Sequence, residues 1–84
     1  MSKLRIASCQ FPVIGDISRN ARYIRRYLKR AAESNAHILH MSEACLSGYA
    51  RTDFDSFRSF DWELLRTETQ SLRDLCSKLE IGLI

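Results

Sequence analysis

The stretch His40-Met41-Ser42-Glu43-Ala44-Cys45-Leu46-Ser47-Gly48-Tyr49 sets a lone carboxylate where an apolar run gives way to a loop containing glycine. Side chains at strand ends in α/β proteins face a cleft rather than a core, and catalytic groups gather there. A carboxylate in that place can take a proton from a nucleophile, most effectively where burial strengthens it as a base. Cys45 lies two residues further on, but a cysteine in such a setting ordinarily serves as small buried filling. Tyr49, at the end of the stretch, can anchor the loop by packing.

Other residues that could do chemistry are weaker candidates. Cys9, Cys45 and Cys76 are odd in number and widely spaced, with no CxxC pair and no zinc pattern, which suits free thiols in a reducing cytosol. His37 and His40 stand three apart on an expected strand, so they point to opposite faces and do not share a metal. Asp53 and Asp55 form an Asp-x-Asp pair, but neither a glycine turn nor a downstream Glu completes a calcium loop. Gly15 belongs to no phosphate-binding loop, since GxGxxG and a GK[ST] ending are both absent. No metal site is expected from these residues.

These residues need a frame, and hydrophobic periodicity supplies one. Leu4 to Phe11, closed by Pro12, reads as a buried strand, because proline cannot continue a ladder. Gly15 breaks the chain, and Asp16 or Ser18 can cap the helix that follows, expected from Ser18 to Ser34. At about 100° per residue, Ala21, Ile24, Leu28, Ala31 and Ala32 share one face of that helix. Arg19, Arg22, Arg25, Arg26, Lys29 and Arg30 gather on the other, and Asn35 makes a suitable stop.

Ala36 to Ser42 reads as a second strand, and Ala44 to Asp61 as a long loop, a length that is uncommon unless the loop builds a site. Phe54, Phe57, Phe60 and Trp62 are expected to tack that loop onto the body of the fold. A second amphipathic helix runs from Trp62 to Leu79, with Leu64, Leu65, Leu72, Leu75, Cys76 and Leu79 on one arc. Ile81 to Ile84 opens a third strand. The expected order is β-α-β-α-β, an α/β layer with helices on a sheet.

The 84 residues allow at most one small domain or part of a larger one. A 27% charged share argues against disorder, and a net charge of +3 with a pI near 9.0 permits an anionic partner without demanding one. No apolar run reaches the roughly 18 residues needed to span a bilayer. Neither membrane association nor a signal peptide is therefore expected, and the cytoplasm is the expected location. The basic helix face is the one sign of nucleic acid. Helices flanking a sheet usually show charge to water, and Tyr23 and Tyr27 form no stacking platform, which makes nucleic acid the less favoured partner.

The order of elements and the motifs resemble the N-terminal part of the nitrilase, or carbon–nitrogen hydrolase, superfamily. Arg5-Ile6-Ala7-Ser8-Cys9-Gln10 looks like that family's first strand, Gly15-Asp16 and Asn20 like the lead into its first helix, and Glu43 to Tyr49 like its Glu-x-x-Leu-Ser/Thr-Gly-Tyr segment. The resemblance spans nearly the whole chain but only about the first third of a complete family member. Where the family commonly has proline before the Glu, this chain has Ser42.

The resemblance implies the β-α-β-α-β portion of an α-β-β-α sandwich, with residues 1–84 ending before the remaining catalytic residues. It also implies hydrolysis of non-peptide amide or nitrile C–N bonds by a Glu, a Lys and a Cys, with Glu43 as general base and Tyr49 at the pocket. Lys3, Lys29 and Lys78 do not match the family's Lys, and Cys9, Cys45 and Cys76 do not match its nucleophile. The chain alone is then expected to be inactive. The complete protein is expected to self-associate, to act on a small amide, nitrile or carbamoyl substrate, and to need no cofactor. The competing reading is a small non-catalytic α/β module whose basic helix meets nucleic acid or an acidic protein.

Overall fold

In the computed structural model, which describes residues 3–84, three short strands form one parallel sheet: β1 (Ile6–Ser8), β2 (Ile38–His40) and β3 (Gly82–Leu83), in the order β1-β2-β3. Ile6 pairs with Ile38 and Ile38 with Gly82, while Ala7, Leu39 and Leu83 lie in register across the sheet. Helix α1 (Ile17–Glu33) joins β1 to β2, and α2 (Trp62–Leu79) precedes β3, with a short 3-10 turn at Phe57–Ser59 before it. The architecture is mixed α/β. No helix among the described residues is long and apolar enough to cross a membrane.

Alternation along the strands decides which face is covered. Ala7, Leu39 and Leu83 belong to the cluster that both helices complete, with Ile24, Leu28 and Ala31 from α1 and Leu72 from α2 at its centre. Ile6, Ser8, Ile38, His40 and Ile84 look away from the helices. Ile6 is 57% exposed and Ile84 71% exposed, so the second face of the sheet is open to water. This one-sidedness agrees with a radius of gyration of 13.6 Å, against roughly 12 Å for a compact domain of this length.

The first strand is shorter than its apolar run. Only residues 6–8 are β, because Phe11 leaves the ladder and packs beneath α1, stacked on Tyr23 with ring centroids 5.0 Å apart and on Tyr27 at 6.4 Å. Helix α1 starts one residue before the expected position. Asp16 is its N-cap, its carboxylate accepting from the Arg19 N–H at 3.1 Å, and Asn35 follows the helix at φ 61°. The expected apolar arc of α2 is only partly realised. Leu72 is buried, whereas Leu64, Leu65, Leu75, Cys76 and Leu79 stay half-buried, since α2 is covered by α1 and the sheet on one flank alone.

Arg25 is not part of a free basic face. Its guanidinium donates to the Glu68 carboxylate and, at 3.0 Å, to the Ser71 hydroxyl, clamping α1 to α2.

Asn20 is the buried polar group of the fold, 0% exposed within the apolar stripe of α1. Its carbonyl accepts from Ile14 N–H at 3.2 Å, and its amide donates to Ile14 C=O at 2.6 Å and to Leu46 C=O at 2.9 Å. One side chain thus joins the turn before α1 to the loop after β2. Replacing Asn20 by Ala leaves these backbone groups without a partner, each at a cost of about 1–3 kcal/mol. Partial relaxation should leave a total loss of about 2–4 kcal/mol, measurable by urea unfolding. A loss below about 0.5 kcal/mol, the range of an ordinary surface change, would show that the junction does not depend on this amide.

Candidate active site

Glu43 follows the carboxyl end of β2, the middle strand, in the turn 43–47. Met41 N–H donates to Ile84 C=O at 2.8 Å, so sheet pairing persists to within two residues of the carboxylate. The chain then reverses sharply. Ala44 takes φ 54°, in the left-handed region that non-glycine residues avoid, and Gly48 N–H closes back on Ala44 C=O at 2.8 Å. Gly48 itself has φ 76°, and a Cβ there would lie 2.7 Å from the Asp53 Cβ, so both conformation and space call for glycine.

Tyr49, brought round by this turn, donates its hydroxyl to Glu43 Oε2 at 2.5 Å. Asp53 in turn fixes Tyr49, its carboxylate accepting from the Tyr49 N–H at 2.7 Å while its own N–H donates to Tyr49 C=O at 2.8 Å. Gly15 completes the junction from the other side, where an added Cβ would come within 2.1 Å of the Asp53 carbonyl oxygen. The two residues that the sequence singles out, Glu43 and Tyr49, therefore touch. Asp53, which the sequence shows only as one half of an Asp-x-Asp pair with Asp55, is the residue that holds them. Asn20 was noted in the sequence only in the lead into the first helix, and its Leu46 partner, 26 residues away, leaves no local signal.

Both members of the pair are open to water. Glu43 is exposed, and Tyr49 is 48% exposed. A hollow of about 690 Å³ lies alongside, lined by Ile24, Cys45, Leu46, Leu72, Cys76 and Leu83 among others. Glu43 itself does not line it, although Cys45 and Leu46 do. Residues 3–84 thus hold the carboxylate in place without enclosing it.

The three thiols are free and half-buried, and burial pushes the pKa of each upward from about 9.0. At Cys9 a hydrogen bond involving Tyr27 and the charge of Arg30 oppose that effect, and at Cys45 a backbone hydrogen bond does. None has the lowered pKa that marks an activated nucleophile.

The other candidates have local roles. His37 Nδ1 accepts from Arg5 N–H at 2.9 Å, and the Ser8 hydroxyl lies 3.5 Å from His40 Nδ1, which ties β1 to β2 at either end. Among the described residues no three His, Cys, Asp or Glu side chains come together to hold a metal ion. Asp16, Asp53, Asp55 and Asp61 border one hollow, but Asp16 and Asp61 cap helices and Asp53 holds Tyr49. Phe54, Phe57, Phe60 and Trp62 pack mainly on one another, at centroid distances of 4.7–5.6 Å, with Phe57 and Trp62 left exposed. Only Phe54 and Phe60 reach the wall near Gly15 and Ile17. The expected anchoring of the loop by aromatics is therefore supplied in large part by Asn20 and Asp53. No protein family, no curated protein and no solved structure matches the chain.

Two outcomes follow from this geometry. The Tyr49 phenol titrates above the usual 10.0, first because its proton is shared with Glu43 and then through burial and the charges of Glu43 and Asp53. The sign is set by the raised folded value. The contact is intact below pH 10 and is lost as pH rises through the folded-state pKa. Ultraviolet titration of the protein against its Tyr49→Phe variant should show the late phenol, and Glu43→Gln should bring it back towards 10; an unchanged titration in Glu43→Gln removes the pair. Separately, Ala44→Gly relieves the left-handed strain and should raise stability by about 0.5–1 kcal/mol in urea unfolding. A destabilised Ala44→Gly variant would mean that the turn is not held in that conformation.

Proposed function

We propose that the chain is the N-terminal part of a carbon–nitrogen hydrolase of nitrilase type, in which Glu43 is the general base. The observation that carries this reading is the Tyr49 hydroxyl holding the Glu43 carboxylate at 2.5 Å, just past the carboxyl end of the middle strand of a parallel sheet. That is where α/β enzymes keep their reacting groups. A tyrosine held at its backbone by Asp53 leaves the carboxylate little freedom, and fixed geometry is what proton transfer needs. The open sheet face, with Ile6 and Ile84 exposed, is consistent with a sandwich in which a second sheet covers it.

The chemistry runs through a thiol and a lysine supplied by polypeptide outside these 84 residues. Glu43 takes the thiol proton as sulfur forms its bond to the amide or nitrile carbon, and the lysine steadies the charge that develops on the substrate. The proton on Glu43 then passes to nitrogen. An amide loses its amine as the C–N bond breaks, whereas a nitrile gives a thioimidate that loses ammonia after water adds. A further water cleaves the resulting thioester to release acid and regenerate the thiol. Polypeptide beyond this chain also closes over Glu43, removing water and strengthening it as a base. Tyr49, with nearly half its surface free, lines the approach to the carboxylate. The whole enzyme works in the cytoplasm as a self-associated assembly and uses side chains alone.

Support for a nucleic-acid module is weaker, because Arg25, counted on the basic face, is engaged by Glu68. The deciding experiment uses a longer polypeptide that begins with this chain and carries a Lys and a Cys further on. It should release ammonia or amine from small amides or nitriles, and Glu43→Gln should lower kcat at least ~10²-fold with the helical spectrum unchanged. Full turnover in a folded Glu43→Gln protein would take the general-base role away from this residue.

A further inference from the structure

We infer that the outer face of α1 carries an anion site, formed by Arg19, Arg22 and Arg26 around the Tyr23 ring, that takes a small phosphoryl dianion. These four residues line a hollow of about 120 Å³. The site is distinct from the Glu43 region and does not rest on the hydrolase reading.

The first argument is charge. Residues 17–33 carry six cations against the single carboxylate of Glu33, a net of +5 in a chain whose total is +3. The ion pair found among the described residues joins Arg25 to Glu68, so Arg19, Arg22 and Arg26 have no carboxylate within 4.0 Å. Asp16, the acid nearest in sequence, is turned to the helix end, where its carboxylate accepts from the Arg19 N–H.

The second argument is that this arrangement opposes helix stability. Arg19 sits in the first turn of α1, where the helix dipole favours anions, and that turn holds no acid. Arg19–Arg22 and Arg22–Arg26 are like-charge neighbours at i,i+3 and i,i+4. A bound dianion reverses both effects, bridging the guanidinium groups and complementing the dipole.

The third argument is preorganisation. The Arg26 guanidinium lies 5.5 Å from the centre of the Tyr23 ring, which is stacked within 18° of parallel on buried Phe11. One of the three donors is thereby held before the anion arrives. Guanidinium groups are also suited to bidentate phosphate contacts.

The test is an amide-resolved NMR titration of the 84-residue chain at low ionic strength. Inorganic phosphate and glycerol phosphate serve as probes, with sodium chloride matching ionic strength. Saturable shifts should centre on residues 19–26, with a dissociation constant on the order of 1–10 mM. Binding to Arg22→Gln/Arg26→Gln should be at least ~10-fold weaker, with helicity retained by circular dichroism. Arg22→Lys keeps the charge and should still weaken binding. Equal affinity for the two probes assigns the site to the phosphoryl group itself. Preference for glycerol phosphate assigns it to a phosphomonoester. Non-saturating shifts spread equally over Arg51, Arg58 and Arg73, or unchanged binding in Arg22→Gln/Arg26→Gln, would overturn the proposal. So would an oligonucleotide binding far more tightly than either probe with a steep salt dependence, which would assign the face to a polyanion instead.

Discussion

The Asn20 amide is the constraint from which the rest of this structure follows. A polar side chain in the middle of an apolar stripe is costly to bury unless every hydrogen-bonding group finds a partner. Here the carbonyl and amide of Asn20 engage both backbone groups of Ile14 and the carbonyl of Leu46. The two loops also pack on the core through Phe11, Val13, Cys45 and Leu46, but it is the Asn20 amide that bonds one loop to the other. Once they are joined, Gly15 can approach the Asp53 backbone, and Asp53 can hold Tyr49 against Glu43. The order of dependence runs from helix to loop to carboxylate.

The second constraint is the open side of the sheet. Parallel sheets occur almost always with both faces covered, because their strands are apolar on both sides. Here the helices cover one face, through Ala7, Leu39 and Leu83, and leave Ile6, Ile38 and Ile84 without a layer above them. His40 and Ser8 give the same face some polarity, but the isoleucines dominate its middle strand and its edges. A chain of this size has a thin margin of stability even when fully packed, so an uncovered face weighs heavily. The half-buried state of most apolar residues on α2 reflects the same shortage of packing partners.

The two helices were legible in the sequence because both have long periodic patterns and acidic N-caps, and their ends agree with expectation to within a residue or two. The mixed α/β architecture follows from that order of elements. The strand limits were harder to read. Leu4 to Phe11 is continuous enough to suggest a strand throughout, yet Phe11 lies outside the ladder and stacks under Tyr23 and Tyr27. Arg25 was placed with the solvated cations because its partner, Glu68, lies 43 residues away and no local rule brings the two together. The same is true of Asp53. Its value comes from Gly15 and Gly48, two glycines that read in the sequence as separate turns and in the fold press on one residue. Glu43 and Tyr49 stood out in the sequence, and the fold brings them into contact; the exposure of the pair was not readable, since it depends on what does or does not cover the loop.

The strain at Ala44 connects these points. A left-handed alanine persists only where its surroundings outweigh a cost of about 1–2 kcal/mol. Several contacts oppose that cost: the Gly48 hydrogen bond to the Ala44 carbonyl, the Asn20 bond to Leu46, and the Asp53 contacts to Tyr49. All lie in or anchor the reversal, and all act to bring Tyr49 back over Glu43. A turn built only to connect β2 to the next element could place glycine at position 44 and avoid the strain. Retaining alanine there, in a loop fixed from three directions, gives one rigid orientation to a carboxylate at the end of the central strand. The strain at Ala44 and the contacts that oppose it therefore have one structural result, a fixed Tyr49–Glu43 pair at the end of the central strand.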